Sequence, residues 1–127
     1  NYGTSIRLYR YAETLLNAAE LIAVHGCAGK GSADAYLNEV RARAGLGNVG
    51  ANLETILQER HVEFMGEGKR YWDLIRLGQA ASVLTPSNDE GGYRTKAWTE
   101  SKKYIPFPQT EMDAAANTPH PMTQNNY

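Results

Sequence analysis

Between Ser5 and His25, the residues Leu8, Ala12, Leu15, Ala19 and Ile22 follow one another at alternating intervals of four and three. Only an α-helix brings such a spacing onto one side, so the stretch predicts an amphipathic helix whose apolar face packs against a partner element. Gly26 and the run Gly29-Lys30-Gly31 stop it, and Ser32 with Asp34 behind it supplies an N-cap and a negative first turn for a second helix. Leu37 and Val40 are the inward positions of that helix. Arg41 and Arg43 suit its negative end, Gly45 the left-handed position that closes it, and Leu46 follows. Two helices joined by a short Gly-rich turn make a hairpin, the unit from which tetratricopeptide solenoids are stacked, although no repeat of the unit is visible.

A third helix starts near Asn52 and runs through Leu53, Ile56, Leu57, Arg60 and Phe64, until Gly66 and Gly68 make its continuation costly and bend the chain. Arg70-Tyr-Trp-Asp-Leu-Ile-Arg-Leu resumes as a short amphipathic helix ended by Gly78. After about Val83 the residues Pro86, Ser87, Asn88, Asp89, Gly91 and Gly92 build turns, which predicts a long loop or a small hairpin. Ile105-Pro-Phe-Pro suits neither a central strand nor a helix, because its prolines lack a donor. Thr110-Glu-Met-Asp then forms one helical turn, and the tail from Asn117 to Tyr127 is extended and held by Met122 and Tyr127. The expected fold is all-α: a helical hairpin of tetratricopeptide-like type, a bent helix pair packed on it, and a long irregular carboxy-terminal region. It forms a single unit over 1–127, helical over 5–83 and loop-rich over 84–127.

With 127 residues, 42% of them hydrophobic and 21% charged, the chain can bury one core of domain size. Thirteen basic against 14 acidic residues leave a net charge of -1, which gives no field to attract nucleic acid or an anionic membrane. Cys27, the single cysteine, has neither a disulfide partner nor a CxxC neighbour and reads as an inert thiol. No apolar run approaches the roughly 20 residues of a membrane span. The amino terminus also lacks the layout of a signal peptide and runs almost directly into a helical pattern, as a segment cut from a longer protein would. On that reading some of its apolar surface is built to meet chain outside the segment.

One segment is too ordered to be incidental: Glu59-Arg-His-Val-Glu-Phe-Met-Gly-Glu-Gly-Lys-Arg-Tyr-Trp-Asp-Leu-Ile-Arg-Leu-Gly. It resembles the signature of the SusD/RagB family, an NER-type run followed by EG-x-R, two aromatics and DL-x-R-x-G. Arg10-Tyr-Ala-Glu-Thr-Leu-Leu-Asn-Ala-Ala-Glu, Val40-Arg-Ala-Arg-Ala-Gly-Leu, Tyr104-Ile-Pro-Phe-Pro-Gln-Thr-Glu-Met-Asp and Thr123-Gln-Asn are also similar to that family, so the resemblance spans nearly the whole chain. Gln58 stands where the family usually shows Asn, Gly66 replaces a bulkier residue, and Asn125-Asn126-Tyr127 is close to a more usual Asn-Pro-Gly-Tyr.

The resemblance implies the carboxy-terminal part of an outer-membrane, cell-surface lipoprotein of Bacteroidetes, anchored through an amino terminus outside this chain. Such a protein binds an oligosaccharide and delivers it to a SusC-like TonB-dependent transporter, with no enzymatic step and no cofactor. Within the signature, Glu59, Glu63, Arg70, Asp73 and Arg76 are expected to pair as carboxylates and guanidinium forks around the bend, a structural role for which arginine suits better than lysine. A tetratricopeptide-like module gripping a peptide or a partner helix is the alternative from another class.

Sharper chemistry finds less support. Glu59 and Glu63 lie one helical turn apart, with Cβ atoms roughly 5–6 Å from each other. Neighbours on one helix face point the same way, however, whereas the carboxylates of a glycosidase flank the scissile bond from two sides. His25, His61 and His120 show no HExxH or comparable metal spacing, and the glycines from Gly26 to Gly31 lack the phosphate-binding patterns that follow a strand. Tyr71 and Trp72, on an amphipathic helix, are assigned to the core. Trp98, Tyr93 and Arg94 lie in the turn-rich region, where an aromatic face and a planar donor can meet a pyranose, and they are the candidate ligand contacts.

Overall fold

In the computed structural model, which describes residues 8–125, Leu16, Leu37 and Ile56 are fully buried, each on a different helix. These helices are α1 (Tyr11–Ala23), α2 (Ala33–Arg43) and α3 (Leu53–Glu63). Around the three side chains gather Leu15, Ala19, Ala33, Val40 and Phe64, with Ala12, Ile22 and Tyr36 packed at the edge. α1 and α2 form the expected hairpin and α3 lies chiefly against α1. The chain divides into two compact units, one up to Arg70 and one from Tyr71 on. All described residues outside helices are turns, bends or coil, with no strand among them.

Local chemistry accounts for the helix ends. The Ser32 side chain accepts from the Ala35 amide at 3.1 Å and caps α2. At the other end the Leu46 amide donates to the Arg41 carbonyl and the Gly45 amide to the Ala42 carbonyl, both at 3.0 Å. With Gly45 at φ +72 this is a Schellman closure, whose left-handed residue favours glycine. α3 opens on a capping box: Asn52 accepts from the Thr55 amide at 2.9 Å, and the Thr55 hydroxyl accepts from the Asn52 amide at 3.0 Å. Gly66 and Gly68, at φ +82 and +71, occupy the interval in which the helix is interrupted.

α1 differs from its expected span. It begins at Tyr11, because Arg10 is extended at φ -132 and ψ 157, and it ends at Ala23. Leu8 therefore precedes the helix and is 80% exposed, while Leu16 joins Leu15 on the buried face; Ser5 lies outside the described residues. A second stripe on α1 is polar and largely buried, consisting of Glu13, Asn17 and Glu20. Asn17 accepts from the buried Arg60 at 2.7 Å, and Glu13 holds the Lys69 ammonium at 2.9 Å. Phe64 lies under two guanidinium groups, those of Arg10 at 5.0 Å and Arg60 at 5.3 Å.

From Tyr71 on, α4 (Arg70–Arg76) closes at Gly78, and a short α5 (Ala80–Val83) follows. Two 3-10 turns, Pro86–Asn88 and Glu100–Lys103, interrupt the expected loop, and α6 (Gln109–Ala115) contains and extends the helical turn expected at Thr110-Glu-Met-Asp. The tail is held by amides instead of by Met122, which is 37% exposed; Tyr127 lies outside the described residues. The Gln124 side chain accepts from the Phe107 amide at 2.9 Å and donates to the Phe107 carbonyl at 3.0 Å, and Asn125 donates to the Ile105 carbonyl at 2.8 Å. Ile105-Pro-Phe-Pro cannot use all its backbone groups in a ladder, and these two side chains satisfy the groups left over.

Candidate functional site

The loop that follows α5 is shaped by its own polar side chains. Asp89 accepts from the Arg94 amide, which turns the chain back, and the Trp98 amide donates to the Leu84 carbonyl at 3.2 Å. The Trp98 indole N–H points at the Tyr71 hydroxyl, 3.4 Å away, and that hydroxyl in turn donates to the Lys102 carbonyl. Lys102 also folds its ammonium back onto the Ala97 carbonyl at 2.8 Å. The result is a cleft of about 220 Å³ lined by Tyr71, Leu84, Arg94, Lys96, Trp98 and Lys102.

This cleft combines an aromatic surface with a rim of donors. It brings together two of the three residues proposed as ligand contacts, Trp98 and Arg94. Tyr93 is not among its lining residues: it is 91% exposed, and its ring folds over Gly91, where a Cβ would come within 2.6 Å. Two aromatics assigned to the core are not there. Tyr71 lines the cleft, and Trp72 is 49% exposed, its ring edge-on to Tyr71 at 5.5 Å. A tyrosine that packs its ring still needs a partner for its hydroxyl, the one signal in the sequence that could have drawn Tyr71 away from a wholly apolar setting. Lys96 and Lys102 carry no such local signal.

Glu59 and Glu63 of the signature find partners at long sequence separation. Glu59 is bound by Arg41 of α2 at 2.8 Å. Glu63 accepts from Arg10 at 2.7 Å and from Arg43 at 2.7 and 2.9 Å, and its backbone carbonyl takes a further 2.7 Å bond from Arg10. The two glutamates thus tie α3 to the hairpin, where pairing around the Gly66–Gly68 bend was expected. Asp73 and Arg76 do pair, at 2.9 Å within α4. Arg70 lies close enough to His61 to act on it: burial first, then the Arg70 charge, lowers the imidazole pKa. Burial pushes the Glu63 carboxyl up, but the bonds and charges of Arg10 and Arg43 outweigh it and hold the group below its ordinary value. The Glu63 carboxylate and, after it, that of Glu67 raise Arg10.

No group of three or more His, Cys, Asp or Glu side chains among the described residues is placed to hold a metal ion. A larger cleft, about 390 Å³, runs between the start of α1 and α2, lined by Arg10, Tyr11, Ala12, Leu15, Glu39, Val40 and Arg43.

Comparison with known proteins gives a consistent result. A family model described as the SusD family matches residues 1–127. Surface glycan-binding protein A from Bacteroides thetaiotaomicron is 58% identical, with a TM-score of 0.85 over 100% of this chain and 26% of that one; it has also been solved in complex with laminarihexaose. The corresponding protein from Bacteroides fluxus is 41% identical, with a TM-score of 0.86 over 98% of this chain and 28% of its own. A SusD-like protein of Formosa agariphila is 32% identical over 67% of this chain and 19% of its own length. The chain thus spans about a quarter of the solved relatives and about a fifth of the curated one.

Proposed function

The chain belongs to the SusD family, and from that premise we propose that the intact protein captures an oligosaccharide at the outer cell surface and passes it to a SusC-like TonB-dependent transporter. It does so by binding alone. The observation that carries this reading is the laminarihexaose complex of a relative 58% identical over the whole of this chain. The cleft around Trp98 supports it from physical chemistry: an indole offers an apolar face to the C–H surface of a pyranose, while Arg94, Lys96 and Lys102 supply donors for its hydroxyls. A lipid anchor on a part of the protein outside this chain holds it to the outer membrane. No helix among the described residues is long and apolar enough to cross one.

The absence of catalysis in this proposal rests on the carboxylates. Glu59 and Glu63, one turn apart, are both held by guanidinium groups, whereas glycoside hydrolysis needs two carboxyl groups on opposite sides of the bond. The cleft between α1 and α2 supports a second reading, in which the hairpin grips a peptide or a partner helix as tetratricopeptide-like modules do.

Calorimetric titration of laminarihexaose and a wider oligosaccharide panel into the intact protein tests the proposal, with Trp98→Ala as control. Binding is expected, weakened about thirtyfold by the substitution, as for loss of a buried aromatic anchor of ~2 kcal/mol. A protein that binds no member of the panel would shift the function to the hairpin cleft.

A further inference from the structure

Trp98 lines two clefts, not one. Besides the cleft of about 220 Å³ that contains Arg94, Lys96 and Lys102, a second of about 160 Å³ lies among Ile75, Gly78, Ala80, Ala81, Glu100 and Lys103. We infer that Trp98 divides two adjoining sugar subsites, so that the protein recognises two neighbouring rings within an oligosaccharide chain and not a single terminal sugar. The inference rests on the glycan-binding reading above and adds the class of ligand: a chain segment that straddles the indole.

Three features carry it. Each cleft is smaller than the roughly 300–1,000 Å³ of a site that encloses a drug-sized ligand, so each holds only part of an oligosaccharide. The dividing residue is placed between the two clefts by its amide on Leu84 and its indole N–H on Tyr71. The two clefts also differ in chemistry. The first presents the Tyr71 hydroxyl and three cationic side chains; the second has an apolar wall of Ile75, Ala80 and Ala81 with one acceptor, Glu100, and one donor, Lys103. A pyranose carries hydroxyls that both donate and accept around two C–H faces, and a ring in the second cleft finds a match for all three. A ring in the first meets donors above all. Two unlike clefts on one tryptophan fix the direction of a sugar chain, which a symmetric stacking platform does not.

The experiment blocks one cleft at a time in the intact protein. Ala81→Leu puts a larger side chain into the second cleft from an exposed position without removing a hydrogen bond, Lys103→Ala removes its donor, and Lys96→Ala alters only the first cleft. With laminarihexaose as probe and circular dichroism to verify folding, Ala81→Leu and Lys96→Ala are each expected to weaken binding about tenfold or more, and Trp98→Ala further than either. Across glucose, laminaribiose and the longer oligomers, affinity is expected to rise at least about tenfold from one ring to two. If Ala81→Leu and Lys103→Ala leave the hexasaccharide within about twofold of wild type while Lys96→Ala and Trp98→Ala weaken it, only one cleft is used; the inference then falls and glycan binding stands. Unchanged binding by Trp98→Ala moves the site elsewhere and sinks the inference too. A wild-type protein that binds no glycan overturns both readings together.

Discussion

Glu63→Gln is the substitution that most directly tests how α3 is held to the hairpin. The Glu63 side chain is 7% exposed and its carboxylate is met by Arg10 at 2.7 Å and by Arg43 at 2.7 and 2.9 Å. The glutamine has the same shape, but one oxygen becomes an NH2 group facing guanidinium donors. The Arg10 bond to a charged partner contributes about 1.5–3 kcal/mol. The Arg43 side chain is 65% exposed, so its share is discounted to no more than about 1 kcal/mol. A loss of about 2–3 kcal/mol follows, most of it from Arg10. In urea, with a slope of about 1–3 kcal/mol per molar, the unfolding midpoint falls by roughly 0.7–3 M.

The same residue sets a pH test. Its folded pKa lies below the ordinary value, so the unfolded chain takes up the proton first as pH drops. The stabilisation is therefore complete above about pH 4.3 and is lost as pH falls through the lower folded value. The gap between wild type and Glu63→Gln should be full at pH 7, begin to shrink as pH falls below about 4.3, and close as pH falls through the lower folded value. A gap under about 0.5 kcal/mol at pH 7, or one that does not change with acid, would refute the reasoning.

Two further perturbations read local devices. Asn52→Ala removes half of the capping box of α3 and should cost about 1 kcal/mol, seen as a lower midpoint with an unchanged denaturant slope; a neutral result would mean that packing alone sets this helix start. Gln124→Ala frees the Phe107 amide and carbonyl, so hydrogen exchange at Phe107 should accelerate at least about tenfold while global stability changes by less than about 1 kcal/mol; unchanged exchange would show that the tail is held by other contacts.

What could be read from the chain in advance follows from how far each signal reaches. Ser32, Gly45 and Asn52 act within a few residues of their own backbone, and the helix ends they imply are present. The spacing from Leu8 to Ile22 says which side chains share a face if the backbone is helical, but not where the helix begins, and the extended Arg10 removes Leu8 from the set. Charges in the signature were recognisable as structural, yet Glu63 meets Arg10 across more than fifty residues of sequence, beyond any spacing rule. Trp98 and Arg94 stood out because turn residues surround them. Tyr71 did not, because amphipathicity tells how a helix divides its faces and not whether a neighbour covers the apolar one.

This difference in reach has a physical counterpart in the site itself. No described residue from Ala81 to Asn125 is buried, so little apolar packing holds the cleft walls. The walls stand instead on a chain of polar contacts, from Asp89 to the Arg94 amide, from Trp98 to Leu84 and Tyr71, from Tyr71 to the Lys102 carbonyl, and from Lys102 back to Ala97. Solvent-exposed hydrogen bonds with few buried contacts are the mark of a segment that opens easily, which costs affinity through ordering unless the ligand bridges several of the tied residues together. In the proposed site, an oligosaccharide lying across Trp98 bridges the residues of both clefts, Ile75, Ala81, Glu100 and Lys103 as well as Tyr71, Arg94 and Lys102. A single sugar in one cleft holds fewer of them, and this is a reason, apart from contact area, for such a site to favour a chain over its monomer.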